Sequence, residues 1–113
     1  MNIQIFGTKK SSDTRKAERW FKERRIRFQY IDLAEKGISK GELRSVAQAV
    51  GGIEALIDEK AKDAYAVSLV QHTPAAMLED VLRENQQVLR MPIVRNGRQA
   101  TVGYAPDVWK MWE

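Results

Sequence analysis

The stretch IQIFGTKKSSDTRKAERWFKERRIRFQYIDL, residues Ile3 to Leu33, decides the fold of this chain. Ile3, Ile5 and Phe6, interleaved with Gln4, make a short apolar run that stops at Gly7 and predicts a strand. Thr8 to Asp13 is polar and rich in residues that cap helices, so it reads as a loop entering a helix N-terminus. From Thr14 to about Arg25, Ala17, Trp20 and Phe21 fall at i, i+3 and i+4, which buries one stripe and leaves Arg15, Lys16, Arg19, Lys22 and Arg24 in water. Ile26, Phe28 and Tyr30 then alternate, and Ile31 and Leu33 follow, as in a second strand. A β-loop-α-β unit of this length pairs its strands in parallel through a right-handed crossover.

Downstream, Ser39-Lys40-Gly41-Glu42 has the form of a capping box, and Leu43, Val46, Ala47 and Val50 follow at helical spacing before Gly51. Ile53 to Ile57 suits a short helical turn, whereas Asp58 to Ala64 is too polar to assign. Thr73-Pro74 reads as a cap with proline at the first helical position. Met77, Leu78, Val81, Leu82, Asn85, Val88 and Leu89 would line one face of a long helix after it. Pro92 opens a strand at Ile93-Val94, Asn96-Gly97 signals a hairpin, and Ala100 to Val102 returns. A last short helix starts at Pro106, with Val108, Trp109 and Trp112 as its buried positions. These elements predict an α/β domain, a four-stranded mixed sheet with helices on both faces, in the thioredoxin-like plan with a helical insert over about residues 37–89.

At 113 residues the chain has material for one core, so residues 1–113 are expected to form a single domain. Its 43% hydrophobic and 30% charged residues suit a water-soluble fold. With no apolar run near a span's length and no signal-like start, a cytoplasmic protein without membrane contact is expected. No cysteine occurs, which removes disulfides, thiolate metal sites and every thiol reaction from this chain. His72 is the single histidine, too few nitrogen ligands for a zinc site, so no metal and no cofactor are expected; it reads as an ordinary loop residue. Residues 1–27 hold nine of the nineteen basic side chains and three of the fifteen acidic ones, an asymmetry that points to an anionic partner or to a solvated helix face. Trp20, Trp109 and Trp112 read as packing residues, since no RNP-like signature accompanies them. Direct nucleic-acid binding through the basic first helix therefore ranks below binding to a protein.

Three stretches taken together resemble the arsenate reductase ArsC/Spx family of thioredoxin-like proteins. They are IFGTKKSSDTRKAERWF, LAEKGISKGELRSV and LRMPIVRNGRQATVGY, and the likeness covers essentially the whole chain. The resemblance implies that Ser11 and Thr14 stand where redox-active relatives carry the two cysteines of C-x-x-C, and that Pro92 is a cis-proline. In arsenate reductases of the family a catalytic cysteine at the Ser11 position works with arginines, one of them directly before that proline. Here Met91 holds that place, with Arg90 one residue earlier. A serine hydroxyl needs a base and offers no redox outlet, so Ser11 cannot reduce arsenate.

Two readings of the loop stand side by side. Lys9, Lys10, Ser11, Ser12, Arg15 and Arg90 would form a weak oxyanion site at the positive pole of the first helix, or Ser11, Ser12 and Asp13 would simply cap it. The resemblance to Spx implies a protein partner, the C-terminal domain of the RNA polymerase α subunit. It would be met by the second helix and its glycine turn through Lys40, Arg44, Gln48, Gly51 and Gly52. The expected function is thus a non-catalytic protein that acts by protein binding, as in transcriptional regulation. The alternative is an arsenate or disulfide reductase that borrows its thiol from an external donor such as glutathione.

Overall fold

The structure is a computed structural model and describes residues 1–112. Strand β1 (Ile3–Gly7), helix α1 (Ser12–Glu23) and strand β2 (Phe28–Asp32) form the expected opening unit. Helices α2 (Lys40–Ala49), α3 (Ala64–Gln71) and α4 (Ala75–Glu84) follow. The chain then runs through β3 (Ile93–Asn96), β4 (Gln99–Val102) and α5 (Pro106–Trp109). The sheet order is β2-β1-β3-β4, with β1 parallel to β2 and antiparallel to β3, and β3 antiparallel to β4. This is the four-stranded mixed sheet of a thioredoxin-like fold.

Alternation along β1 sends its side chains to two cores. Ile3 and Ile5 join Ala17, Trp20 and Phe21 of α1, Val94 of β3 and Trp109 of α5. Phe6 joins Ile31, Leu33 and Ile93 against Leu43, Val46, Val67, Val70, Leu78 and Leu82 of the three middle helices. The first core is aromatic: Trp109 lies 5.4 Å from Trp20 and 5.1 Å from Phe21 between ring centroids. Its buried indole N–H donates to Thr101 Oγ1 at 2.7 Å, which removes the cost of burying it. All three tryptophans belong to this cluster, Trp112 at its edge, as expected for packing residues.

Helix α2 begins and ends as its sequence predicts. Ser39 Oγ accepts the Glu42 N–H while Glu42 Oε1 accepts the Ser39 N–H, completing the capping box. At the other end Gly51 has φ +93°, and the Gly52 N–H reaches Ala47 O at 2.8 Å, a Schellman closure that needs the left-handed residue.

Elsewhere the structure departs from expectation. Helix α4 stops at Glu84, because Asn85 leaves helical geometry at φ −134°, ψ 53° and its side chain turns back to Val81 O. Val88 and Leu89 still reach the core, through a 3-10 turn over Gln86–Val88 rather than a continued helix. Met77 is exposed. Thr73 does not cap α4; its hydroxyl donates to Leu69 O and closes α3 instead. Helix α3, with Asp63 accepting the Ala66 N–H as its cap, follows directly on the segment too polar to assign. In the hairpin Asn96 pairs with Gln99, so the turn pair is Gly97-Arg98, one residue later than the Asn-Gly signal. Only Gly97 needs a positive φ there, +60°. Val108 is exposed, since α5 is a single turn with Trp109 alone facing the sheet. Among the described residues no helix is long and apolar enough to cross a membrane.

Candidate functional site

The loop after β1, the loop after β2, the 58–63 segment and the turn after α4 surround a groove of about 1050 Å³. Lys9, Lys10, Ser11, Ser12 and Met91 are among its lining residues. The Met91-Pro92 peptide is cis, as the resemblance implied, and Pro92 is buried. Thr8 Oγ1 lies 3.6 Å from Met91 Sδ, which joins the loop to the segment before β3.

Ser11 occupies the N-cap of α1 and its Oγ accepts the Thr14 N–H at 3.2 Å, so its side chain is used as a cap. Thr14 is fully buried. Its Oγ1 has no partner among the described residues, and its side chain fills the space beside Gly7. The two positions matched to the thiols therefore hold a helix cap and a packing residue. The Tyr30 hydroxyl donates to Gly7 O at 3.4 Å. Burial, and then the charges of Asp32, Glu18 and Glu35, hold it above its ordinary pKa, so it stays protonated and provides no base.

The structure brings together only part of the expected anion set. Neither Arg15 nor Arg90 lines the groove: the Arg15 guanidinium donates to Lys9 O, and Arg90 is fixed by its backbone N–H to Leu56 O. Lys9 leans over the Tyr30 ring at 5.3 Å. Against five cationic side chains the groove sets six carboxylates, Asp13, Asp32, Glu35, Asp58, Asp63 and Glu84, so its lining as a whole carries no excess of positive charge. Asp13 belongs to the Thr8–Asp13 stretch itself; the other five come from distant segments, and no local pattern in that stretch announces them. His72 is exposed at the C-terminus of α3, its Nδ1 2.8 Å from Ser68 O, and does not line the groove.

The α2 surface is also less open than its sequence suggested. Lys40, Arg44 and Gln48 are exposed in a row, but Arg44 pairs with Glu79 of α4 at 2.7 Å and Lys40 with Asp80 at 3.8 Å. Beside them Leu43, Ala47, Ile53 and Ala75 line a shallow crease of about 200 Å³ whose rim is the Arg44–Glu79 pair. Gly51 and Gly52 form the Schellman turn at the end of α2 and do not line the crease.

Comparison with known proteins decides the family. The model of the ArsC family matches residues 6–111. The chain belongs to the ArsC family. This ArsC-family chain is 28% identical over 109 residues to global transcriptional regulator Spx 2 of Oceanobacillus iheyensis, covering 95% of the chain and 80% of that relative. It is 23% identical over 107 residues to global transcriptional regulator Spx of Streptococcus pyogenes, covering 93% and 80%. Among solved structures it resembles arsenate reductase from Vibrio cholerae, with TM-score 0.80 and 23% identity over 96% of the chain and 94% of the other. An ArsC family related protein from Bacteroides fragilis superposes with TM-score 0.82 and 18% identity, covering 100% and 98%. These structural likenesses carry the fold; within it, this ArsC-family member has no cysteine, and Ser11 and Thr14 are the residues that the sequence resemblance set against the thiols.

Proposed function

We propose that this protein is a non-catalytic member of the ArsC family that regulates transcription by binding a protein, the C-terminal domain of the RNA polymerase α subunit, through α2 and its glycine turn. The observation that carries the reading is the state of Ser11: its hydroxyl caps α1 and no sulfur nucleophile exists in the chain. Arsenate reduction would have to draw its thiol from another molecule. The relatives named as transcriptional regulators support the regulatory role. The crease between α2 and α4 supports the surface, because an apolar slot rimmed by an ion pair suits one inserted side chain with a polar collar.

Titrating the isolated α-subunit domain into labelled protein and following backbone amide shifts tests the proposal. Shifts confined to residues 40–53 and to Ala75 and Glu79 across the crease, and binding weakened by Ala47→Glu, are expected. Absence of binding at high micromolar concentration overturns the choice of partner.

A further inference from the structure

Helix α1 carries a second surface, on the opposite face of the sheet from α2. Arg15, Arg19 and Lys22 recur at i, i+4 and i+7 and are all exposed, which sets them in one stripe about 10 Å long at ~1.5 Å per residue. Arg25 and Arg27, also exposed, follow in the turn between α1 and β2. The ion pairs among the described residues use none of these five; Lys16 alone on this helix leans on an acid, Asp13, at 4.0 Å. Glu18 and Glu23 flank the stripe without pairing with it, and Arg15 is steadied by Lys9 O.

Arg25 supplies an independent observation. It closes α1 at φ +57°, with its N–H on Lys22 O and the Ile26 N–H on Phe21 O, both at 3.0 Å. This is the same closure that Gly51 provides for α2, and glycine adopts it without the steric strain that arginine bears. An arginine thus stands where glycine would be less strained.

We propose that this face binds the phosphate backbone of double-stranded DNA without reading its sequence. The exposed residues of α1 are all polar or charged, so the surface lacks the apolar anchors on which protein interfaces depend, whereas a uniform polyanion requires only spaced cations, and guanidinium forks fit phosphate well. The inference goes beyond the α2 reading: with the two helices on opposite faces, one chain can hold a protein and a duplex at once.

The test is fluorescence anisotropy of labelled 20-base-pair duplexes of two unrelated sequences with the whole protein. With about four phosphate contacts the log–log salt slope is near −3.6, a loss of roughly a hundredfold in affinity between about 50 and 200 mM salt, alike for both duplexes. Arg19→Glu combined with Lys22→Glu should weaken binding at least tenfold. Arg25→Gly should lower the magnitude of the slope by about 1 while raising the thermal midpoint, a pairing that a merely structural arginine would not produce. No binding at 50 mM salt, affinity unaltered by these substitutions, or tighter binding of polyglutamate than of duplex overturns the proposal. All of these variants leave α2 intact, so titration with the α-subunit domain reports separately on the proposed function.

Discussion

Thr14 lies against Gly7 so closely that a methyl group on the glycine would sit 2.3 Å from Thr14 Oγ1 and 2.7 Å from Cγ2. The end of β1 and the first turn of α1 are therefore fitted to each other at one of the two positions matched to the family's thiols. Gly7→Ala should cost about 1–3 kcal/mol in denaturant unfolding, the usual penalty of overfilling a dense core. Thr14→Ala removes both close atoms, so the double variant should lose markedly less than the sum of the two singles. Additive losses would show that the contact is not what constrains Gly7.

Removing the unpaired hydroxyl gives a prediction of opposite sign. Thr14 Oγ1 is buried without a partner among the described residues, and an unsatisfied buried hydroxyl costs roughly 1–3 kcal/mol. Thr14→Val, similar in shape, should raise the thermal midpoint by a few degrees. A drop in midpoint would mean that the hydroxyl is satisfied in solution.

Glu42 links folding to pH. Burial opposes its ionisation, but hydrogen bonds from the Ser39 backbone, the Ser39 hydroxyl and Gln4, with the Arg95 charge, outweigh it and hold the carboxyl below its ordinary 4.5. A depressed carboxylate contributes stability that is complete above the unfolded value and is lost as pH falls through the folded one. Glutamine can keep the capping hydrogen bond without titrating, so Glu42→Gln should flatten the fall of stability below about pH 4.5. Unchanged acid-unfolding profiles would sink this assignment.

Arg44 separates binding from stability. Its pair with Glu79 joins side chains that are 62% and 33% exposed, so Arg44→Ala should cost under about 1 kcal/mol. The same change should weaken the α-subunit complex, because the rim of the crease loses its cation. A large thermal destabilisation would show instead that the pair holds α2 onto α4.

The unmodified protein should show no arsenate or disulfide reductase turnover with glutathione and glutaredoxin present, measured by coupled oxidation of a nicotinamide reductant. Ser11→Cys would place a thiol at a helix N-terminus, where its pKa falls below the free value of about 8.5, so it should alkylate quickly. It should still fall short of catalysis, because Met91, and not an arginine, directly precedes Pro92, the place where the resemblance implies an arginine in reductases of the family. Robust turnover by the unmodified chain would falsify the non-catalytic reading.

Local sequence by itself determined the elements whose signals are short in range. Period-2 and period-3.6 patterns placed β1, α1 and β2, the Ser39–Glu42 box and the Gly51 turn set both ends of α2, and the lack of cysteine by itself removed thiol chemistry. Tertiary contacts decided what one segment cannot encode about another. Helix α4 ends where Asn85 turns back on Val81, although the apolar spacing continues to Leu89, because burial of Val88 and Leu89 is served equally by a 3-10 turn. The openness of α2 was set by Glu79 and Asp80, thirty-five and forty residues from their partners Arg44 and Lys40. The balanced charge of the groove was set by carboxylates drawn from four separate stretches of chain. Electrostatics act through space, so a run of lysines is legible in sequence while the acids that offset it become visible only once the chain has folded.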